Sequence, residues 1–315
     1  MRIGIDVGGT NLVAGLVDEN GKILGKAAAP TGANRSPEEI CMDIVRVARE
    51  AAEQNHVALS AVQGIGMGIP GAISSSEGLI YHSPNIPFHD TPVRTLFQKE
   101  WDVPVHLAND ASCAALGEHR AGAAKEYDSA IIVTLGTGIG GGIILNGKLF
   151  SGANEAGAEI GHMVVEAVNG WKCGCGRRGC WEAYGSATGL RRITLDEMEH
   201  DKESLMWQMT DGTFEGISGR TAFQASERGD AAGKRTVERY LHYLAVGIAN
   251  LINIFQPEVI CLGGGISNEK DENFLFPLRK MVDAERFTRE GLQTQIIKCR
   301  LGNDAGIIGA AFLEE

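Results

Sequence analysis

The stretch CGCGRRGCWE, Cys173 to Glu182, carries three of the chain's seven cysteines. Cys173, Cys175 and Cys180 are spaced C-x-C-x4-C. Three thiolates need a fourth ligand to close a tetrahedral zinc site, and His162 lies shortly upstream in AEIGHMVV. A structural Cys3His zinc centre is the reading these residues favour. A catalytic zinc fits less well, because the protein would fill all four positions. Two alternatives compete. A disulfide leaves an odd thiol and suits an oxidising compartment, and a redox pair is more typically C-x-x-C.

Three glycine turns form a second constellation: DVGGTN (6–11), LGTGIGGG (135–142) and LGGGIS (262–267). Glycine lets a phosphate approach the backbone closely, and successive N–H groups in such turns make anion-binding concavities. No Gly-Lys-Ser/Thr follows any of them, and the first feeds a strand, so neither a P-loop nor a Rossmann fingerprint is present. A single turn of this kind is equally a tight hairpin. Three of them, one with Asp6 at a strand end, point to a phosphate clamp. In HLANDAS, Asn109 and Asp110 follow a strand and open a helix. Ligands of open α/β sheets bind beyond the carboxyl ends of strands. Asp110 there either caps the helix or accepts a proton from an attacking hydroxyl during phosphoryl transfer. The clamp elsewhere in the chain favours the base, and an exposed carboxylate is ionised at pH 7 as a base must be.

The elements that must hold these residues can be read from pattern. RIGIDVGGTNLVAGLVDENGKIL is strand, glycine turn, strand, Asn-Gly turn, strand. A helix follows, with Ser36 as N-cap, Pro37 at its first position and Glu39 completing a capping box. Ile40, Ile44, Val47 and Ala51 fall on one face of it. AVQGIGMGIP is a buried strand ended by Pro70–Gly71, VPVHLA is another, and a helix opens at NDAS. AIIVTLGTGIGGGIILNGKLF then repeats the opening pattern, Gly9–Thr10 corresponding to Gly136–Thr137 and Asn20–Gly21–Lys22 to Asn146–Gly147–Lys148. This predicts an internal duplication. Asp230 caps a long helix that Pro257 ends, EVICLGGGIS runs from strand into turn, and the chain closes on a strand, a turn and a helix. Residues 196–220 are the least patterned. Strands alternate with helices throughout, which predicts an α/β fold with mixed sheets.

The 315 residues suggest two domains. A net charge of −11 argues against a nucleic-acid or anionic-membrane surface. No apolar h-region follows the start, and the stretch around VGIANLINIF is too short to span a membrane. The expected location is cytoplasmic, where disulfides are disfavoured. Cys41, Cys113, Cys261 and Cys299 sit in apolar patterns and read as small core residues.

DVGGTN, LGTGIGGG and LGGGIS together resemble the actin–hexokinase–heat-shock ATPase superfamily, in which two duplicated domains hold ATP in the cleft between them. The resemblance assigns Gly8, Gly9, Thr10 and Asn11 to a first phosphate loop, and Thr137 and Gly138 to a second. It sets Gly264 and Gly265 against adenosine, and Asp6 near Mg²⁺ through water. GAEIGH followed by CGCGRRGCWE, with GIPG at 68–71 and ND at 109–110 in order, resembles the ROK family (repressor, open reading frame, kinase) over essentially the whole chain. Within that family the likeness is greatest to glucokinases. It implies that Asn109, Glu159, His162 and Glu182 hydrogen-bond sugar hydroxyls, that Gly71 contributes its backbone, and that Asp110 activates the hydroxyl on carbon 6. Carboxylates and amides suit a polyol read by buried polar partners, although Glu159 and Glu182 taken singly are equally solvated surface charges. Ser112 departs from the NDAN that many members carry, a difference at the helix entry.

The expectation is therefore an ATP- and Mg²⁺-dependent hexose kinase, glucose to glucose 6-phosphate, with structural Zn²⁺. The expected domains are 1–118, completed by a C-terminal helix at about 302–315, and 119–301, which carries the zinc loop. A homodimer or higher homo-oligomer is implied by the family. Kinases for mannose, fructose, allose or an N-acetylhexosamine, and polyphosphate as donor, stay open. A sugar-responsive regulator of the same family is disfavoured because the phosphate loop begins at Asp6, which leaves no room for a DNA-binding domain before it. A chaperone-type ATPase has no use for the sugar-reading residues.

Overall fold

In the computed structural model the described residues are 1–313 except 289 and 292. The opening pattern folds as read. β1 (Arg2–Val7) pairs antiparallel with β2 (Asn11–Val17), which pairs antiparallel with β3 (Ile23–Pro30). Helix α1 (Pro37–Glu53) follows, with the Ser36–Glu39 capping box formed in both directions. Its face of Ile40, Ile44, Val47 and Ala51 is fully buried in the first core. β4 (Ile65–Ile69) lies parallel to β1, with Asp6 opposite Gly68. A small antiparallel sheet of β5 (Ala72–Ser74), β6 (Leu79–His82) and β7 (His89–Thr91) comes next, then α2 (Val93–Glu100). β8 (Val105–Asn109) pairs parallel with β4 and leads straight into α3 (Asp110–Ala121).

β9 (Ala130–Leu135), β10 (Ile139–Leu145) and β11 (Lys148–Phe150) repeat the opening arrangement. The short α4 (Glu182–Gly185) and α5 (Ala187–His200) follow the cysteine loop. In the stretch without clear pattern, only α6 (Met206–Met209) forms beyond the end of α5, before α7 (Thr221–Glu227). Asp230 accepts from Gly233 N–H to cap α8 (Ala231–Phe255), and Gln256 in the left-handed region ends it just before Pro257. β12 (Val259–Gly263), α9 (Leu275–Glu285), β13 (Gln295–Lys298) and α10 (Ala305–Ala311) complete the chain. Residues 314–315 of the expected closing helix lie outside the described residues.

The two large sheets have the orders β3-β2-β1-β4-β8 and β11-β10-β9-β12-β13. Ranked along the chain, both read third, second, first, fourth, fifth. That identity of topology is the structural form of the sequence repeat, and with mixed pairing it gives the expected duplicated α/β fold.

The chain divides into two compact units: Met1–Ile132 with Gly141–Ala158 and Cys299–Glu315, and Val133–Gly140 with Glu159–Lys298. The first reaches beyond the division expected at 118. One reason is Glu118, which is buried and accepts from the N–H groups of Ala123, Arg300 and Leu301. It fastens the end of α3 to the turn that precedes α10. In the same unit α10 packs backbone to backbone: a Cβ added at Gly66 would lie 1.7 Å from the Ala310 carbonyl oxygen, and one at Gly309 1.7 Å from that of Cys113. Cys41, Cys113 and Cys261 are core residues as expected, whereas Cys299 is only half-buried. No helix among the described residues is long and apolar enough to cross a membrane.

Candidate active site and metal centre

In the first unit three parallel strands end together, so their carboxyl ends collect the predicted residues. β1 delivers Asp6, β4 runs on to Gly71, and β8 ends at Asn109 opposite Ile69. The Gly8–Asn11 turn is closed by Gly8 N–H donating to Asn11 O at 2.9 Å. Thr31 holds its outside: its hydroxyl donates to Gly8 O at 2.5 Å and its N–H to Thr10 O at 2.9 Å. Gly71 has φ 127°, and a Cβ there would meet the His82 carbonyl oxygen at 2.1 Å. Only glycine allows this approach.

The cap of α3 falls to the neighbour of Asp110. Asn109 is the N-cap of α3, its Oδ1 accepting from Ala111 and Ser112 N–H at 2.9 and 3.4 Å. That leaves the Asn109 amide NH2 as the group to donate to a ligand, and it relieves Asp110 of capping. Asp110 Oδ1 still accepts from Ala111 N–H at 2.9 Å, which fixes its rotamer. Partial desolvation raises the Asp110 carboxyl above the ordinary aspartate range, against the lowering pull of that N–H. Asp6 is raised to about 6, by burial first and by the Asp110 charge second. A carboxylate whose ionisation is opposed by burial and by a second carboxylate suits a site built for a cation or a proton.

In the second unit the loop 136–139 turns on itself, Gly136 N–H donating to Gly138 O at 3.1 Å. Gly264, with φ 86°, lies so close to Leu135 that a Cβ would come within 2.4 Å of its carbonyl oxygen. The second and third glycine turns therefore touch. Glu182 opens α4 with Oε2 accepting from Ile139 N–H at 3.1 Å, while Oε1 is 3.3 Å from Cys173 Sγ. Glu159 is exposed and starts the short turn 160–162 that carries His162.

His162, Cys173, Cys175 and Cys180 each offer a ligand atom, all within 4.8 Å of one another. Two short bridges, Val164 with Cys180 and Lys172 with Arg178, fold the loop so that distant cysteines converge. The Cys175 and Cys180 sulfurs are 3.7 Å apart, far beyond a disulfide bond. Zn–S bonds of about 2.3 Å at a tetrahedral angle set two sulfurs about 3.8 Å apart, so the spacing fits zinc. His162 Nδ1, 3.8 Å from Cys173 Sγ, is the nitrogen turned to the cluster. Burial pushes the Cys173 thiol up to about 12 and raises that of Cys180, while the Arg177 N–H leads the lowering of that of Cys175. Three such thiols ionise together only with a cation to bind them. The donor set therefore fits structural Zn²⁺.

The ROK family model matches residues 2–315. The chain belongs to the ROK family. This ROK protein is 36% identical over 312 residues to a glucokinase of Halalkalibacterium halodurans, covering 99% of this chain and 94% of that one. It is 37% identical over 311 residues to a glucokinase of Thermotoga maritima, with 98% and 95% covered. It superimposes on a ROK glucokinase of Streptomyces griseus solved with glucose and AMPPNP at TM-score 0.80, 33% identity, 98% of this chain and 97% of that chain.

Reading the sequence did not single out Thr31, and it singled out Glu182 for sugar and not for its hold on the second loop. Thr31 stands just past β3, where a hydroxyl has no motif to mark it. Only the pairing of β2 with β3 puts it against Gly8.

Proposed function

We propose that this ROK protein is an ATP-dependent hexose kinase that phosphorylates the 6-hydroxyl, with glucose as the preferred sugar. The observation that carries the proposal is at residue 110: Asn109 caps α3, so the Asp110 carboxylate at a parallel strand end is left to take a proton. In the reaction Asp110 accepts the proton of the 6-hydroxyl as its oxygen attacks the γ-phosphorus of ATP. The bond from that phosphorus to the β–γ bridging oxygen breaks, and ADP leaves. Gly8–Asn11 and Thr137–Gly138 offer backbone N–H groups to the phosphates, and Gly264 and Gly265 lie against the adenosine. Asp6 is suited to hold hydrated Mg²⁺, which neutralises phosphate charge. Asn109, Glu159, His162 and Glu182 hydrogen-bond the sugar, with Gly71 contributing from its backbone. Full-length similarity to glucokinases at 36 and 37% identity supports glucose over other hexoses. The proposal extends to a cytoplasmic enzyme that works as a homodimer or higher homo-oligomer, without nucleic acid or membrane.

The test is a coupled ADP-release assay over glucose, mannose, fructose, allose and N-acetylglucosamine, with Mg²⁺ and either ATP or polyphosphate. Turnover with ATP is expected, fastest on glucose. No turnover on any hexose overturns the proposal, and faster turnover on another sugar reassigns the substrate. Asp110→Asn should fold normally and lose at least about a thousandfold in kcat, since it removes the base and its charge together.

A further inference from the structure

The 182–188 segment, which follows Cys180 and Trp181 directly, grips the loop 136–139 at three points. Ala187 N–H donates to Gly136 O at 2.9 Å. The Thr188 hydroxyl donates to Thr137 O at 2.8 Å. Glu182 Oε2 accepts from Ile139 N–H and fills the space a Cβ on Gly138 would need, 2.3 Å away. The Thr188 hydroxyl is not a helix cap: Ser186 caps α5, accepting from Gly189 N–H at 3.0 Å.

A trans peptide is planar, with C=O and the following N–H pointing opposite ways. Holding the carbonyls of Gly136 and Thr137 against the start of α5 therefore turns the N–H groups of Thr137 and Gly138 away from it, side by side. Two such neighbouring donors are what a phosphate oxygen binds. The first glycine turn is held in the same manner, by the Thr31 hydroxyl on Gly8 O.

We infer that Thr188 is a positioning residue for nucleotide: its hydroxyl sets the peptide between Thr137 and Gly138 so that the loop presents its N–H groups to phosphate. The inference rests on the reading of 136–139 as a phosphate loop. Glu182 is a second strut of that loop besides any contact it makes with sugar. Because its other oxygen faces Cys173, the metal loop and the nucleotide loop share one carboxylate.

The zinc-loaded enzyme and its variants are titrated with Mg²⁺ and AMPPNP by calorimetry without sugar, and KM is measured for ATP and for glucose. Removing one hydrogen bond from the loop should raise Kd and KM for nucleotide about three- to tenfold in Thr188→Val. KM for glucose should stay within about twofold, as the side chain is not part of the proposed sugar set. Thr188→Ser, which keeps the hydroxyl, should bind as wild type does. Wild-type affinity in Thr188→Val, or equal weakening in the Ser and Val variants, overturns the inference. So does a KM for glucose that rises in step with that for ATP. If Thr188→Val melts early, Thr188→Ala is compared with Thr188→Ser by the same rule. Wild-type protein that binds no AMPPNP would instead overturn the phosphate-loop reading itself, and the inference with it.

Discussion

At the scale of single residues, Asp6 has an elevated pKa of about 6 where aspartate ordinarily titrates near 3.8, because burial and the Asp110 charge oppose its ionisation. Between those two pH values the folded chain holds a proton that the unfolded chain has released. The group's contribution to stability is thus fully present below about pH 4 and is lost as pH rises through about 6. Asp6→Asn should therefore melt higher than wild type at pH 7.5 without added Mg²⁺ or nucleotide, by on the order of 1–2 kcal/mol after solvent screening. The difference should vanish at pH 4. Equal melting midpoints at pH 7.5 would show that neither burial nor the Asp110 charge opposes the ionisation of Asp6. Calorimetry at the two pH values decides, and the same variant should lose activity if Asp6 serves the Mg²⁺ site. Gly71 and Gly264 are fixed just as locally, by carbonyl oxygens 2.1 and 2.4 Å from any added Cβ.

Among the elements, α3 and α10 carry the most consequence, since α3 begins at Asp110 and packs on α10. Glu118 accepts three backbone N–H groups at the far end of α3. Glu118→Ala takes a buried acceptor away from all three donors, and should lower unfolding free energy by about 2–4 kcal/mol. A denaturant midpoint unchanged from wild type would contradict this. Gly66→Ala should be worse, because its Cβ meets the backbone of Ala310 and not a side chain that can swing aside. A loss of more than about 3 kcal/mol, or failure to accumulate as folded protein, is expected. Neither effect is visible in residue type alone. GIGMGIP reads as a buried strand, and the sequence alone does not say which glycine faces a helix.

For the whole molecule, the duplicated strand order provides two equivalent places for a glycine turn, one after β1 and one after β9. The metal loop joins this plan through α4 and Glu182. Removing the metal should then weaken nucleotide as well as sugar. In Cys175→Ala, elemental analysis should find the zinc lost, and calorimetry should find AMPPNP affinity reduced along with an increased KM for glucose. Unchanged AMPPNP affinity in the metal-free variant would confine the loop's role to the sugar. A metal analysis of wild-type protein that finds no zinc would undo the account of the loop altogether.

The sequence by itself determined the elements and the chemistry of the parts. Period and capping marked α1 down to its Ser36–Glu39 box, glycine spacing marked the three turns, and C-x-C-x4-C with His162 marked the metal site. These signals are local, because a turn, a cap or a ligand pair within some twenty residues is specified by the residues that form it. Only the tertiary structure decided which neighbour serves which role. It gave the α3 cap to Asn109, the neighbour of Asp110. It set Thr31 on the first turn, and Thr188 and Glu182 on the second. It put Glu118 at the far end of the helix that begins at Asp110. Thr31, Thr188 and Glu118 stand 23, 51 and 182 residues from groups they hold, and a hydrogen bond across such an interval exists only once strand order and helix packing have closed it.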